Sequence, residues 1–504
     1  MTAISVDVGT TLIKVVGYDD DGAEIVIVRR PTTVHHPAPD WAEQDMTEVW
    51  SVVTASVRTV VEQLAGPVGY LAITAQGDGC WLVDADGHPT GPAILWNDGR
   101  AAAIVTDWAE RGILDQAFRT NGSMTFAGLP NAILTWLRRH QPDRLARSAT
   151  ALTCGGWVFA QLTGEITVDD SDASAPFLDI RTRRYSRELF DLYDMRWAEP
   201  LLPLPRSDGQ RVAALSTEAA ETVGLPAGTA VVLCPYDVAS TAIGAGAVSD
   251  GQACTILGTT LCTEVVTSQP DPGSGGAGLT IAFGAPQQYL RAFPTLAGGE
   301  VIQWACDLLE LDQPAQLTQL ATQTPPGADG LVFLPYLSPA GERAPFLDPL
   351  ARGTLFGLSL RHRRPHIARA VLEGLSLVIA DCLAASAAKP SELRVCGGGS
   401  VSGGWLQIIA DVTGLPLLKS TDTEVGARGA FLVGLVATGG TSSIKDAAER
   451  YVRNQATYAP DPSRANSYAG MLRDFLSLRG SLSGAGPLLA DPRLRAARVG
   501  QDPK

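Results

Sequence analysis

Apolar and polar positions form a clear pattern at the start of the chain. Ile4 to Asp7 reads as a strand, Gly9-Thr10-Thr11 as a tight turn, and Ile13 to Tyr18 as a second strand. DDDG then marks a hairpin turn, and Glu24 to Val28 a third strand. The period then changes. Val49, Val52, Val53, Val57, Val60, Val61 and Leu64 recur at helical spacing, with Thr47 placed to cap the helix and Gly66 to end it. VGYLAIT and CWLVDADG follow as a strand and a hairpin. Residues 100 to 230 mix helices such as NAILTWLRRH with loops, and residues 228 to 249 read as a strand followed by a small-residue helix starting near Asp237.

The opening pattern then returns. In GQACTILGTTLCTEVVTS a strand meets Gly258-Thr259-Thr260 and a second strand leaves. DVGTT and ILGTT therefore sit a domain apart in matching contexts. This predicts two related α/β domains facing each other across a cleft, with a boundary near residue 247. A triplet this short also recurs by chance, and the matching contexts argue against that. The C-terminal SLSGAGPLLADPRLRAARVGQDPK reads as a poorly ordered tail.

Size and composition agree with two domains. A chain of 504 residues exceeds what one core supports, and 45% apolar with 18% charged residues is an ordinary globular balance. A net charge of -14 argues against nucleic acid as a partner. No run suggests a membrane span or a secretory leader, so the expected location is the cytoplasm. The eight cysteines are scattered without a C-x-x-C pair, which predicts buried free thiols rather than disulfides or a metal–thiolate site.

The chain has no G-x-x-x-x-G-K-[ST] loop, so any phosphate must be held another way. The first turn offers one. Gly9 lets backbone approach a ligand closely, Thr10 and Thr11 carry donors, and Lys14 adds charge if it turns inward. Asp7 is a candidate Mg²⁺ partner through water. A strand turn without catalytic meaning has the same local sequence.

VDVGTTLIKVVGYDDDG resembles the opening of the FGGY carbohydrate kinases, within the actin-like sugar-kinase superfamily. GTLFGLSLRHRRPHIARAVLEG is similar to that family's C-terminal signature, with His366, Ile367 and Glu373 in place. YLSPAGERAPFLDPLARG resembles its Gly-Glu-Arg segment, VCGGGSVSGGWLQIIADVTGLPL its adenine-binding segment, and WNDGRAA a stretch of the xylulose kinases. The resemblances run in order from about residue 3 to 440.

The resemblance implies two actin-like (ribonuclease H-like) domains with a nucleotide and sugar cleft between them. The sugar-binding domain would span 1–247, the ATP-binding domain 248–480, and the tail 481–504. It implies phosphoryl transfer from MgATP to a hydroxyl of a small sugar or polyol. Asp237, in CPYDVAS, matches the family's catalytic aspartate, although Val238 stands where many relatives carry Asn. An Asp at that junction also serves as an ordinary helix cap. Asp7 and Asp237 would lie near Mg²⁺. Gly9, Thr10, Thr11, Lys14, Gly258, Thr259 and Thr260 would lie near the phosphates. Gly398 and Gly399 would pass over the nucleotide, and Gly299 either lines that site or simply starts a helix. Trp405 and Gln407 read as packing residues.

For the sugar, the resemblance points to Glu43, Gln76, Asp78, Asp98 and Arg100, with Trp41, Trp81 and Trp96 as candidate aromatic walls that could equally be core. Xylulose kinases usually carry Gln-Met-His-Gly where this chain has Gln76-Gly77-Asp78-Gly79. That departure, with QGDGCWLVDADG, leans toward erythritol-kinase-like members and a polyol. The resemblance admits a homodimer, which no sequence feature establishes. A sugar sensor that lost transfer and an actin-like ATPase are the rival classes. Asp7, Asp237 and both G-T-T turns speak against the first, and the WNDGR and TAQGDG segments against the second.

Overall fold

A computed structural model of the chain describes residues 2–207, 211–270 and 276–482. The chain forms two compact units, each built from separated segments. The first comprises residues 1–250, 266–291 and 420–453, and the second 251–265, 292–419 and the residues from 454 onward. Most of the proposed tail, 483–504, lies outside the described residues.

The first unit centres on a six-stranded sheet. Its strands are β1 (Thr2–Val8), β2 (Leu12–Tyr18), β3 (Glu24–Pro31), β4 (Val68–Ala75), β5 (Val212–Ala214) and β6 (Ala230–Leu233), in the order β5-β6-β4-β1-β2-β3. β1, β2 and β3 form an antiparallel meander, whereas β1, β4 and β6 run parallel. β1 is buried along its whole length, as a central strand covered on both faces must be.

Helix α1 (Met46–Gln63) turns Val49, Val53, Val57 and Val60 into the same core as Ile4, Val6, Val15 and Ile73. Each valine so buried contributes about 1.5 kcal/mol or more. Asp45, not Thr47, caps α1, because its carboxylate accepts from the amides of Thr47 and Glu48 at 2.8 and 3.1 Å. The helix ends at Leu64, so Gly66 lies beyond its cap. Helices α2 (Cys154–Thr163) and α3 (Asp237–Ala245) complete this stretch.

The second unit repeats the device. β7 (Gln252–Leu257) and β8 (Leu261–Thr267) are antiparallel across Gly258-Thr259-Thr260. β9 (Glu392–Cys396) runs parallel to β7 as β4 does to β1. β10 (Leu417–Ser420) and β11 (Asn454–Tyr458) continue one side of a seven-stranded sheet in the local order β8-β7-β9-β10-β11, and the strands Tyr289–Pro294 and Leu279–Ala282 continue it beyond β8. Helices α4 (Gly299–Leu308), α5 (Arg364–Ala385) and α6 (Gly403–Thr413) bury Val301, Val371, Leu375, Leu406 and Ile409 in one core.

Helix α7 (Val425–Ala437) returns to the first unit and packs on α3. Two glycines permit that contact. A Cβ on Gly244 would stand 1.9 Å from the Val425 carbonyl oxygen, and one on Gly429 would stand 1.8 Å from that of Ser240. All eight cysteines are free and buried, as the sequence predicts. Among the described residues, no helix is long and apolar enough to cross a membrane.

Candidate active site

Three parallel strands of the first unit, β1, β4 and β6, end side by side. Their carboxyl ends carry Asp7, the segment Gln76-Gly77-Asp78 and, four residues beyond β6, Asp237. In open α/β sheets this edge is where ligands bind. Antiparallel register sets Lys14 opposite Asp7, and the Lys14 ammonium lies 3.0 Å from its carboxylate. Glu424, at the start of α7, stands 3.6 Å from the same ammonium and also accepts from Arg29 at 2.7 Å. The Asp7 charge, and then that of Glu424, hold Lys14 well above the usual lysine range against the opposing effect of burial.

Asp237 opens α3 and accepts from the Val238 amide at 2.8 Å. It keeps some solvent contact but is densely surrounded by protein. Burial pushes its carboxyl up to about 7, and the charge of Asp7 adds to that. The Val238 amide and Lys14 oppose the shift. A carboxyl held there titrates where a proton acceptor for neutral-pH chemistry should.

The turn after β1 is tied into a closed network. Thr10 Oγ1 donates to Gln76 Oε1 at 2.9 Å and accepts from Trp96 Nε1 at 3.0 Å. Gln76 Nε2 donates to Gln44 Oε1 at 2.8 Å. Gln44 Nε2 returns to the Thr10 carbonyl at 2.8 Å and reaches Thr32 Oγ1 at 3.2 Å. The Thr10 hydroxyl hydrogen is thus committed to Gln76, which leaves an incoming anion the turn's amides and the exposed Thr11. Gly9 is needed here, since a Cβ would lie 2.9 Å from the Leu12 carbonyl oxygen.

Glu43, Asp98 and Arg100 come together, but facing one another. Arg100 donates to Asp98 through Nε and Nη2, each at 2.8 Å, and to Glu43 at 2.7 Å. Asp98 also accepts from the Ala42 and Arg100 amides at 2.6 and 2.9 Å. The Arg100 guanidinium lies 3.9 Å from the centre of the Trp41 ring, and its side chain is wholly buried. Trp81 is a core residue stacked on Trp157.

Asp78 sits at φ 57° between two glycines, a left-handed turn that Asp tolerates. Gly77 leaves room for the ring of Tyr236, because a Cβ there would fall 2.2 Å from Tyr236 Cδ2. The space beside the turn is thereby filled from the neighbouring strand end. Asp172, which the sequence reading passed over, accepts from Thr153 Oγ1 at 2.8 Å. Burial drives its carboxyl well above the usual range, and the charges of Asp78 and Asp237 add to the effect. Its only sequence signal is an acidic run, Asp169-Asp170-Ser171-Asp172, entering an apolar stretch.

In the second unit the predicted glycines converge on the ends of β7 and β9. The Gly299 amide donates to the Gly258 carbonyl at 2.9 Å, and the Glu300 amide to that of Thr259 at 3.2 Å. A Cβ on Gly299 would stand 2.6 Å from the Gly258 carbonyl oxygen. One on Gly397 would stand 2.7 Å from that of Leu257, and one on Gly399 2.9 Å from Leu257 Cβ, whereas Gly398 faces open space. Glu342, from the Gly-Glu-Arg segment, accepts from the amides of Leu296 and Ala297 at 2.7 and 3.2 Å and so fixes the approach to α4. Trp405 is buried and donates to Ser376 at 3.2 Å, a packing residue as expected.

Residues 2–244 match the FGGY family of carbohydrate kinases, N-terminal domain, and residues 253–438 match the C-terminal domain of that family. The chain is 32% identical to the erythritol kinase of Brucella abortus over 95% of this chain and 96% of that one. It is 30% identical to the xylulose kinase of Escherichia coli over 94% and 98% of the two chains. Its fold is similar to that of a ligand-bound xylulose kinase from Lactobacillus acidophilus, with a TM-score of 0.92 at 24% identity over 97% and 100% of the chains. The last likeness bears on the mixed α/β two-domain fold alone.

Proposed function

The chain belongs to the FGGY family of carbohydrate kinases, and on that premise we propose that it transfers the terminal phosphoryl group of ATP to a hydroxyl of a small polyol or ketose. The observation that carries this reading is Asp237, a carboxyl raised to about 7 at a strand end beside Asp7. In the reaction, Asp237 accepts the proton of the attacking hydroxyl. The sugar oxygen bonds to the terminal phosphorus as the bond to the bridging oxygen breaks, and ADP leaves. Phosphoryl transfer asks for little else beyond positioning and charge.

The donor set of Asp7 and Asp237 fits Mg²⁺. Both offer hard oxygen ligands, and the charge of Asp7 raises Asp237, an excess of negative charge that Lys14 only partly offsets. These two residues would hold the ion, which when bound supplies charge neutralisation at the phosphates. Thr11 and the amides of Gly9 and Thr10 receive phosphate oxygens, with Lys14 adding charge. Gly258, Thr259, Thr260, Gly299, Gly398 and Gly399 present backbone to the nucleotide.

On the sugar side, Asp78 and Asp237 accept from hydroxyls. Glu43, Asp98 and Arg100 support the Trp41 wall from behind, and Gln76 acts through Thr10. A carboxylate at 78 favours a substrate rich in hydroxyls, so an erythritol-like polyol ranks ahead of a xylulose-like ketose. Eight buried free thiols suit the reducing cytoplasm.

The test is ADP release with MgATP across erythritol, threitol, D- and L-xylulose, ribulose, arabinitol, xylitol and glycerol, with Asp237→Asn as control. Turnover on a polyol that the substitution abolishes supports the reading. Absence of turnover on every compound would count against it.

A further inference from the structure

The network around Thr10 has only one consistent polarity. The Thr10 backbone oxygen is a carbonyl and can only accept, so Gln44 must present Nε2 to it. Gln44 Oε1 therefore faces Gln76, which must answer with Nε2. Gln76 Oε1 then faces Thr10, whose hydroxyl must donate. The oxygen lone pairs left on Thr10 take the indole N–H of Trp96, a group that can only donate. A carbonyl at one end and an indole at the other leave no free amide flip between them.

The network is also nearly saturated. Gln44 Nε2 lies within hydrogen-bond distance of both the Thr10 carbonyl and Thr32 Oγ1. Thr32 in turn donates to the Thr10 carbonyl at 2.7 Å. Gln44 is fully buried, and Gln76 is 2% exposed. Buried amides are costly unless all their bonds are made, so an apolar filler would serve packing alone just as well. What the amides add is direction. They hold the Thr10 hydroxyl toward the Trp96 indole and hold the turn's carbonyl away from an incoming anion.

We propose that Gln44 is a positioning residue for phosphoryl transfer: acting through Gln76, it orients the Thr10 hydroxyl that takes the Trp96 indole N–H, so that the phosphate-facing and sugar-facing parts of the first unit share one geometry. This rests on the function proposed above, with phosphate at that turn, and on Trp96 as one of the aromatic walls that the family resemblance offers the sugar. The reacting hydroxyl and the phosphorus must meet at a defined separation, and a displacement of about 1 Å costs on the order of 100-fold in rate.

The experiment compares wild type, Gln44→Leu, Thr10→Val and the double variant. It measures kcat, KM for sugar and for ATP, thermal midpoint, and the indole N–H resonance of Trp96, assigned with Trp96→Phe. Gln44→Leu is expected to lower kcat by about 10- to 100-fold and leave both KM values within about 3-fold. The double variant is expected to be no worse than the poorer single one, since both break the same chain. The Trp96 resonance is expected to shift in Gln44→Leu although the two side chains do not touch directly.

Wild-type turnover with an unchanged kcat in Gln44→Leu, or with defects that multiply, overturns the positioning role and leaves the kinase reading intact. An equal rise in KM and fall in stability without a kcat effect also overturns it, since that is what lost packing alone would give. A wild type inactive on every sugar overturns both. If Gln44→Leu does not fold, Gln44→Met takes its place in the cycle with Thr10→Val, and multiplying defects there overturn the proposal.

Discussion

Replacing Asp237 with Asn should make the protein more stable at alkaline pH while abolishing transfer. An unfolded chain releases the Asp237 proton near pH 3.8, and the folded protein releases it near pH 7. Between those values the folded state binds more protons than the unfolded one, so this group's contribution to stability falls as pH rises, and the loss is complete above about pH 7. Three units at about 1.4 kcal/mol each set a ceiling of about 4 kcal/mol. Asp237 keeps some solvent contact, which reduces the figure to about 2–4 kcal/mol. Asn cannot ionise and escapes the loss. Urea titrations of both proteins at pH 4.5 and pH 8, free of nucleotide and metal, measure it. The variant should already exceed wild type by about 1 kcal/mol at the lower pH, which lies above the unfolded value, and by a larger margin at the higher one. The same ionisation should give wild-type kcat/KM an ascending limb of unit slope centred near pH 7. A variant equal to or weaker than wild type at pH 8, or a rate flat from pH 5.5 to 8, would refute the reasoning.

Other expectations follow from close contacts. Gly77→Ala forces a Cβ to within 2.2 Å of the Tyr236 ring and should cost about 1–3 kcal/mol, partly restored by Tyr236→Ala, as read by thermal unfolding of the single and double variants. Gly299→Ala presses on the Gly258 carbonyl at 2.6 Å, so calorimetry should show weaker nucleotide binding with sugar binding unchanged. Arg100→Leu leaves Asp98 and Glu43 buried without their shared partner and should cost about 3–5 kcal/mol, read from the urea midpoint.

The opening hairpin was legible because its apolar alternation and its glycine turn are local properties. The same holds for β7 and β8, and for Asp237, which stands where a strand pattern gives way to a helix pattern. Orientation was less legible. Glu43, Asp98 and Arg100 are types that bind sugar hydroxyls, and in the fold they also bond one another beneath Trp41, while the buried Arg100 Nη1 has no partner among the described residues. Trp81 carried the same signal as Trp96 and went to the core. Thr47 looked like the cap of α1, but Asp45 offers a carboxylate one residue before the helix. Gln44 and Glu424 went unnoticed for a different reason. Their importance comes from partners distant in the chain, and no periodicity encodes such a pairing.

The segmented build of the first unit has a consequence for synthesis. Arg29 and its partner Glu424 are 395 positions apart. As the ribosome extends the chain, β1, β2 and Lys14 emerge early, but the second carboxylate that steadies Lys14 and the helix that packs on α3 arrive only after residue 420. A nascent chain stopped at residue 250 would hold the turn and Asp237 but lack α7, leaving the α3 face at Gly244 uncovered. Long-range closure of this kind is slow and exposes apolar surface while it waits. Cells making this enzyme should therefore depend on chaperones that hold the N-terminal half until the last sixth of the chain is made, and truncation at the apparent midpoint should yield aggregate rather than a sugar-binding fragment.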